Sequence, residues 1–241
     1  MPITVTAVPC LSDNYAWLLR APDGRVAVCD PGEAGPVAAA VEAAGGRLDL
    51  ILLTHHHGDH VGGVAELVKR YGAKVMGNAA DAHRLPPLDV AVSPGQRADV
   101  LGVPAEIIAS DGHTRGHIAY HFPDCSILLC GDTLFSLGCG RLLEGTAAEM
   151  FESLQRLASL PPETLVCCGH EYSESNARFA LTVEPGNPAL RARADEIARQ
   201  RAEGRATVPT TIGEELAANP FMRAADAEAL ARIRKAKDDF R

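Results

Sequence analysis

The feature that most constrains the fold of this chain is a largely apolar run that ends in a cluster of histidines. Leu48–Leu53 is typical of a strand that is buried on both faces. Thr54-His55-His56-His57-Gly58-Asp59-His60 follows it directly. Burying these imidazoles and this carboxylate without partners would cost several kcal/mol, roughly 2–7 for each polar group. The sequence therefore predicts a buried strand that opens into a metal-binding loop.

The spacing within this loop indicates two pairs of ligands. Alternate side chains of an extended segment share a face, so His55 and His57 are expected to point the same way. Asp59 and His60 begin the next turn and can reach a neighbouring point. Two pairs of ligands suit two metal ions better than one. His56 faces away from the first pair and is expected beside the site rather than in it.

Polar residues follow three further predicted strands. His113 lies in the segment Asp111–His117, Asp132 follows the strand that ends at Cys130, and His170 follows the strand that ends at Cys168. Active sites of layered α/β folds gather at one edge of the sheet, where such strand ends meet. These three residues are therefore candidates to complete two metal sites.

The pattern of secondary structure changes along the 241 residues. Strand-like runs alternate with helices up to about residue 173, and helical segments rich in Ala, Arg and Glu follow. Capping boxes at Thr146–Glu149 and Thr211–Glu214 predict two helix starts. The sequence predicts a catalytic domain over residues 1–173 and a helical domain over residues 174–241.

Charge and composition exclude several classes of partner. The net charge of −8 argues against binding to nucleic acid or to an anionic membrane. No apolar run of about 18 residues is present, so no membrane-spanning helix is expected. The first residues lack the pattern of a signal peptide, which predicts a cytoplasmic protein. The odd number of cysteines, 7, favours reduced and buried thiols over disulfides.

The order H-x-H-x-D-H, His-Thr-x-Gly-His, Gly-Asp-Thr and Gly-His resembles the metallo-β-lactamase superfamily. The resemblance implies an α/β fold, the αβ/βα four-layer sandwich, here with a small C-terminal all-helical domain. It also implies two sets of metal ligands and one bridging carboxylate, which are His55, His57 and His113, then Asp59, His60 and His170, and the bridging Asp132.

Additional stretches are similar to the glyoxalase II family of glutathione thioester hydrolases. They are Leu11–Tyr15, Asp30–Glu33, Gly131–Phe135, Gly138–Arg141, Glu144–Thr146, Gly169–Tyr172, Asn219–Arg223 and Arg234–Phe240. The resemblance implies hydrolysis of S-D-lactoylglutathione and related S-2-hydroxyacylglutathione thioesters, which is the second step of methylglyoxal detoxification. It implies a hydroxide held by two divalent metal ions, with catalytic roles for Asp59 and Asp132. Zinc is the expected metal, and iron and manganese remain open.

The same resemblance assigns a set of substrate-binding residues. Those residues are Arg141, Leu143, Tyr172, Arg234 and Lys237. Leu143 stands where the family usually has Tyr or Phe, which removes a stacking or hydroxyl contact with the substrate. Residues 223–241 carry more basic than acidic side chains, which fits the net negative charge of glutathione. A helix C-terminus that attracts Lys and Arg would produce the same bias. The protein is expected to be a monomer, although no sequence feature fixes its oligomeric state.

Three other functions remain open at this point. A persulfide dioxygenase with one iron, or another thioesterase or lactonase, would share the fold, and metal stoichiometry would separate them. A nuclease of the superfamily would need a basic surface and aromatic stacking, which the acidic balance and 5% aromatic content disfavour. A non-catalytic binding module would have lost ligands, and all the candidate ligands are present.

Overall fold

The computed structural model of the protein describes residues 3–240. Met1, Pro2 and Arg241, the outermost residues of the predicted domains, lie outside the described residues. The chain forms two compact units, of which the first contains the chain up to Ala109 together with Gly116–Gly131. The second contains Ser110–Arg115 together with the chain from Asp132 onward.

The first unit contains ten strands and three α-helices among its described residues. In chain order they are β1 (Thr4–Cys10), β2 (Asn14–Arg20), β3 (Val26–Cys29), α1 (Ala34–Ala43), β4 (Leu50–Leu52), α2 (Gly58–Val61), α3 (Val64–Tyr71), β5 (Lys74–Asn78), β6 (Val90–Val92), β7 (Arg97–Val100), β8 (Val103–Ala109), β9 (Ile118–Phe122) and β10 (Ile127–Gly131).

One sheet has the strand order β1-β2-β3-β4-β5-β6. Strands β1 to β3 are antiparallel, whereas β3 to β6 are parallel, so the carboxyl ends of β3 and β4 lie side by side. Cys29 pairs with Leu52, and the backbone N–H of Asp30 donates to the Leu52 carbonyl at 2.9 Å. This register places Asp30 next to the loop that follows β4.

The remaining strands of the first unit form an antiparallel meander in the order β7-β8-β9-β10. The meander supports the histidine loop from below. The backbone N–H of Ile118 donates to the Thr54 carbonyl at 3.0 Å, and the hydroxyl of the buried Tyr120 donates to the Leu53 carbonyl at 3.0 Å. Two hydrogen bonds from β9 therefore fix the end of β4 where the histidine loop begins.

The second unit is mostly helical. Its elements in chain order are β11 (Leu134–Phe135), β12 (Gly138–Cys139), α4 (Ala147–Ala158), β13 (Leu165–Cys168), α5 (Ser173–Val183), α6 (Pro188–Ala202), β14 (Thr210–Thr211), α7 (Ile212–Ala218) and α8 (Ala227–Asp239). Strands β11 and β12 pair as a short hairpin, and β13 pairs with β14.

Both predicted capping boxes are confirmed. The Thr146 hydroxyl accepts from the backbone N–H of Glu149, and the Glu149 carboxylate accepts from the backbone N–H of Thr146. The same reciprocal pair joins Thr211 and Glu214 at the start of α7. These bonds satisfy amide groups that the first turn of a helix leaves without partners.

One helix start differs from the prediction. Pro36 before the run Val37–Ala44 predicts a helix that starts at Pro36, but α1 begins at Ala34. Proline fits the first turn of a helix because amide groups there have no partner inside the helix. Among residues 3–240, no helix is both long and apolar enough to cross a membrane.

Candidate metal centre

The histidine loop of the first unit turns from extended backbone into a short helix. His57 has extended dihedral angles and caps α2, so Asp59 and His60 lie on the first turn of that helix. His55 and His60 are almost completely buried, at 0% and 1% exposure. A buried imidazole needs partners, and the loop provides them through carboxylates and neighbouring rings.

Two donor pairs form within this loop. His55 Nε2 lies 3.1 Å from His57 Nδ1, so these two rings do face the same point as predicted. His60 Nε2 lies 3.7 Å from Asp59 Oδ2. The rings of His55 and His60 have centroids 4.2 Å apart, so the two pairs are neighbours.

Asp30 orients one of these histidines. Its carboxylate accepts from the Thr54 backbone N–H at 2.8 Å and from the Thr54 hydroxyl at 2.6 Å. His60 Nδ1 lies 3.1 Å from the same carboxylate, and both side chains are buried. A carboxylate that accepts a hydrogen bond from one ring N–H fixes the tautomer of the histidine. The other ring nitrogen can then serve as a metal ligand. Asp30, His55 and His60 could also form a metal group by proximity, but the bonds to Thr54 and His60 indicate a supporting role for Asp30.

Asn14 and Gly32 hold Asp59 from the other side. The Asn14 amide donates to Asp59 Oδ2 at 2.9 Å and to the Asp59 carbonyl at 3.2 Å. A Cβ atom on Gly32 would lie 1.9 Å from the Asp59 carbonyl oxygen, so only glycine fits there. The position of the Asp59 carboxylate is therefore set by contacts to both its backbone and its side chain.

The other two histidines of the region support the loop. His56 Nδ1 lies 3.2 Å from the buried carboxylate of Asp81, so it points away from His55 and His57 as expected. The buried ring of His117 stacks on His55, with centroids 4.7 Å apart. Both residues restrict the orientation of the loop side chains.

The second unit gathers a histidine pair around one carboxylate. Asp132 Oδ2 lies 3.5 Å from His113 Nε2 and 3.2 Å from His170 Nε2, and all three side chains are buried. His113 Nδ1 lies 2.9 Å from the Arg141 carbonyl, to which it donates as Nδ1–H. Its Nε2 is then the nitrogen available as a ligand. The Tyr172 ring stacks on His170 at 4.6 Å and fixes its plane.

The separations between these donor atoms fit metal coordination. Nitrogen and oxygen ligands about 2.0–2.2 Å from one zinc ion lie roughly 3 to 3.7 Å from each other. The measured donor separations run from 3.1 Å for His55 and His57 to 3.7 Å for Asp59 and His60. The donor set of imidazole and carboxylate suits zinc, iron or manganese. The residues present therefore fit the metal ions that the sequence motifs imply.

A basic cluster lies in the second unit. The Lys237 ammonium donates to the carbonyl and the hydroxyl of Ser175, at 2.9 and 2.8 Å. Burial, and after it the charges of Arg234, Arg178 and Arg141, lower the pKa of Lys237 to about 8, against a smaller opposing effect of Asp238. Such a concentration of positive charge is typical of a site for an anion.

The predicted substrate residues differ in accessibility. The side chains of Arg141 and Leu143 are exposed, and Tyr172 is 37% exposed. Arg234 is instead 5% exposed, and its guanidinium donates to the Cys139 carbonyl at 2.8 Å and pairs with Asp238. Arg234 therefore supports the cluster through charge and through the Cys139 backbone.

Comparison with known proteins decides the family. Residues 12–170 match the metallo-β-lactamase superfamily, and residues 171–240 match the hydroxyacylglutathione hydrolase C-terminus. The hydroxyacylglutathione hydrolase of Acidiphilium cryptum is 58% identical over 98% of this chain and 97% of its own length. The chain belongs to the hydroxyacylglutathione hydrolase family. The enzymes of that name from Cereibacter sphaeroides and Methylococcus capsulatus are 52% and 48% identical, over 100% and 99% of both chains.

Solved structures place this family member in the metallo-β-lactamase fold. ETHE1 from Myxococcus xanthus has a TM-score of 0.73 and 25% identity, over 98% of this chain and 90% of its own. BLEG-1 B3 metallo-β-lactamase has a TM-score of 0.71 and 21% identity, over 91% and 99%. The chain is therefore a metal-dependent hydrolase with this fold, as the sequence motifs predicted.

Sequence reasoning missed the residues that orient the ligands in this hydrolase. Asp30 and Asn14 lay in stretches that resemble the family, but no role followed from those stretches alone. Their contacts with His60 and Asp59 join residues 30 and 45 positions apart. The signal that could have found Asp30 is its position directly after a strand, beside the predicted strand that ends at Leu53.

We expect Asp30→Asn to weaken metal binding. Asparagine keeps the size of the aspartate side chain but carries no charge. Its NH₂ group can only donate a hydrogen bond, and it would face Thr54 or His60, which in the wild type bond to a carboxylate oxygen. Loss of such a supporting carboxylate typically lowers metal affinity by about 10- to 100-fold. Competition with a chromogenic chelator measures this, and an unchanged zinc affinity would contradict the orienting role of Asp30.

Proposed function

We propose that this chain hydrolyses S-D-lactoylglutathione and related S-2-hydroxyacylglutathione thioesters to glutathione and the 2-hydroxy acid. The observation that carries the proposal is the basic cluster around Lys237, in the part of the chain that matches the hydroxyacylglutathione hydrolase C-terminus. Glutathione presents two carboxylates, and a half-buried ammonium among arginines is suited to bind them. The His and Asp donors of the histidine loop and of the group around Asp132 would supply the hydrolytic part of the site.

The metal ligands proposed are the seven residues that the sequence motifs predict. The proposal combines the donor groups found within each unit with the motif order of the family, and assigns His55, His57, His113, Asp59, His60 and His170 as ligands and Asp132 as the bridging carboxylate. Zinc is the proposed metal, because tetrahedral nitrogen and oxygen sets are typical of it. Iron remains an alternative, since the structurally similar TTHA1623 (28% identical, TM-score 0.65) was solved in a di-iron-bound form.

The bound cations would lower the pKa of a water toward neutrality and stabilise negative charge on the thioester oxygen. The chain's own residues prepare that chemistry. Asp59, held by Asn14, would orient the attacking hydroxide, and His113 and His170 keep the Asp132 carboxylate in place. The leaving thiolate has a parent pKa near ~8.5, so no strong general acid is required.

Substrate recognition is proposed for residues around the basic cluster. Arg141 and Lys237 bind the carboxylates of the glutathione moiety, and Tyr172 offers an exposed ring edge beside His170. Arg234 contributes its charge from a buried position. Leu143, which is exposed, stands where the family usually has Tyr or Phe. Because an aliphatic side chain replaces the aromatic contact with the substrate, we expect weaker substrate binding and unchanged chemistry.

Three further assignments belong to this proposal. Residues 1–173 form the catalytic domain, and residues 174–241 form the helical substrate-binding domain. The protein acts in the cytoplasm, and it acts as a monomer without nucleic acid or membrane as a partner. The net charge of −8 supports the last of these.

A substrate panel tests the proposed function. The metal-loaded protein is assayed with S-D-lactoylglutathione, glutathione persulfide and a chromogenic β-lactam, with heat-denatured protein as the blank. We expect release of glutathione from the first compound and no turnover of the other two. Oxygen consumption with the persulfide, or β-lactam opening at a similar rate, would instead assign another activity of the superfamily.

The pKa of Lys237 predicts a pH dependence of substrate binding. Its pKa, about 8, lies below the ordinary lysine value, so the side chain is charged below pH 8 and neutral above it. An anionic substrate therefore loses one charged partner as the pH rises through 8. We expect KM to rise by roughly three- to tenfold between pH 7 and 9.5, with a much smaller change in kcat, since the lost bond is one of binding.

Lys237→Arg is the control for this dependence. Arginine stays protonated over the whole range, so the variant should lose the step in KM near pH 8. Initial rates are corrected for spontaneous thioester hydrolysis at each pH. A wild-type KM that does not change between pH 7 and 9.5 would contradict the role assigned to Lys237.

A further inference from the structure

The hairpin formed by β11 and β12 joins two parts of the proposed site. Leu134 pairs with Cys139 and Phe135 with Gly138, and the backbone N–H of Gly140 donates to the Thr133 carbonyl at 3.2 Å. Asp132 therefore lies two residues before the hairpin and Arg141 two residues after it, with the bonded Thr133 and Gly140 between them and the strands. A Cβ atom on Gly140 would lie 2.0 Å from the Asp132 carbonyl oxygen, which shows how closely the two ends approach.

A movement of the hairpin would reach three site residues. Asp132 and Arg141 are each two residues from its strands along the chain, and the Arg141 carbonyl accepts the hydrogen bond from His113 Nδ1. The hairpin thus sets the position of two proposed metal ligands and of one proposed substrate residue. The geometry of its closed end, the Phe135–Gly138 turn, is therefore expected to affect the positions of these site residues as well as the packing of the unit.

Two side chains of the α7 region hold that closed end. The Asn219 amide donates to the Phe135 carbonyl at 3.1 Å and to the Gly138 carbonyl at 3.0 Å. Glu215 accepts from the backbone N–H of Leu137 at 2.8 Å. Asn219 also donates to Glu215 at 2.9 Å, so the two side chains act as one unit.

The turn that they hold is conformationally unfavourable. Leu137 has a φ angle of 57°, a left-handed conformation that glycine or asparagine adopts far more readily than leucine. Such conformations persist only where the surroundings determine them. Here the N–H of this residue is the one that donates to the Glu215 carboxylate. Glu215 is fully buried, and burial raises its pKa.

Other helices contact the same hairpin at separate atoms. The Asn176 amide donates to the Ser136 carbonyl at 3.1 Å, and Arg234 donates to the Cys139 carbonyl at 2.8 Å. A buried turn needs partners for its polar groups in any protein. Glu215 and Asn219 differ from these single contacts because together they bond to both arms and the turn of the hairpin.

We propose that Glu215 and Asn219 are positioning residues that fix the Phe135–Gly138 turn and, through the hairpin, the places of Asp132 and Arg141. This inference rests on the proposed function for the roles of Asp132 and Arg141. It predicts that loosening the closed end of the hairpin changes metal affinity and substrate affinity together, beyond any loss of stability.

The variants Asn219→Ala, Glu215→Leu and Glu215→Gln test the proposal. Glutamine keeps an oxygen that can accept from Leu137 and Asn219, and its amide can donate to the Thr210 hydroxyl, which lies 2.9 Å from the other carboxylate oxygen. Thr211→Ala is the matched control, since it removes the capping box of the same helix without touching the hairpin. Each variant is compared in zinc affinity by chelator competition, in KM and kcat for S-D-lactoylglutathione, and in Tm.

We expect Asn219→Ala and Glu215→Leu to lower zinc affinity by roughly 10- to 100-fold and to raise KM by about tenfold. Glu215→Gln should restore both to within about threefold of wild type. Thr211→Ala should lower Tm while leaving zinc affinity and KM unchanged. If Glu215→Leu does not fold, Asn219→Ser, which keeps a smaller donor, should show an intermediate loss of zinc affinity.

Two outcomes would overturn the proposal. One is a folded Asn219→Ala with reduced Tm but wild-type zinc affinity and KM. The other is a Thr211→Ala control that shows the same losses at the same Tm. Failure of the proposed function is distinguishable, because wild-type protein would then not hydrolyse S-D-lactoylglutathione, whereas the order of zinc affinities among the variants would still decide the role of Glu215 and Asn219.

Discussion

Asp132→Ala is expected to lower the bound metal and the hydrolysis of S-D-lactoylglutathione together, with kcat/KM reduced by roughly a thousandfold or more. The Asp132 carboxylate contacts both His113 and His170. Its loss therefore removes one proposed ligand and also the group that holds these two histidine ligands together. Metal ions contribute several kcal/mol to such reactions, and each ~1.4 kcal/mol is a factor of ten in rate. Metal content by elemental analysis and steady-state kinetics on the same sample measure both effects.

Asp124→Ala controls for the loss of a carboxylate as such. Asp124 is exposed in the turn that follows β9, so its replacement should leave metal content and kinetics at wild-type values. An Asp132→Ala protein that keeps full metal content and activity would count against the bridging role. Full metal content with lost activity would assign Asp132 to substrate chemistry alone.

Gly32→Ala is expected to lower activity strongly, because the added methyl group displaces the proposed metal ligand Asp59 in the first unit. The new Cβ atom would lie 1.9 Å from the Asp59 carbonyl oxygen and 2.8 Å from its carbonyl carbon, so the backbone of Asp59 must move. Asp59 lies between two histidine ligands in the loop, and Asn14 bonds to both its carbonyl and its carboxylate. A displacement of about 1 Å at a reacting group can lower the rate by roughly a hundredfold. We expect kcat/KM to fall by at least that factor, with weaker zinc binding.

Gly35→Ala is the matched control, three residues further along the same segment. A Cβ atom on Gly35 has nothing within 4 Å, and alanine is favoured over glycine within a helix such as α1. This variant should keep wild-type kinetics and an equal or higher Tm. If Gly32→Ala matched it in zinc affinity and kcat/KM, the close packing at Asp59 would have no functional importance.

The sequence predicted most of the elements that position the site, because the decisive signals are local. The buried strand before Thr54, the alternation of His55 and His57, and the capping boxes at Thr146 and Thr211 depend on neighbours a few residues away. The family followed from motifs spread over the whole chain, and the matches to residues 12–170 and 171–240 confirm it.

The contacts that orient the ligands could not be predicted in the same way. Asp30 reaches His60 only because β3 and β4 pair in parallel with Cys29 opposite Leu52. Asn219 reaches the β11–β12 hairpin across more than eighty positions. Such contacts depend on the tertiary register, which no local pattern contains.

Burial of charged groups was equally hidden from the sequence. Arg234 and Lys237 were both predicted to bind substrate, since the family resemblance assigns both to the substrate pocket. The structure separates them, with Arg234 buried against Cys139 and Asp238, whereas Lys237 is half-buried beside Ser175. The strands β6 and β7 were not predicted either, because a run of three or four residues is too short to show a periodicity, and two of the four residues of β7 are charged.

Zinc titration of the chelator-stripped protein tests the central claim most directly. Bound zinc and the hydrolysis of S-D-lactoylglutathione are followed in the same samples as zinc is added. We predict that the stripped protein is inactive and that activity rises until about two equivalents of zinc are bound, as two metal ions with one bridging carboxylate require. Hydrolysis that persists without metal, or that is complete at one equivalent, would contradict a dinuclear thioester hydrolase.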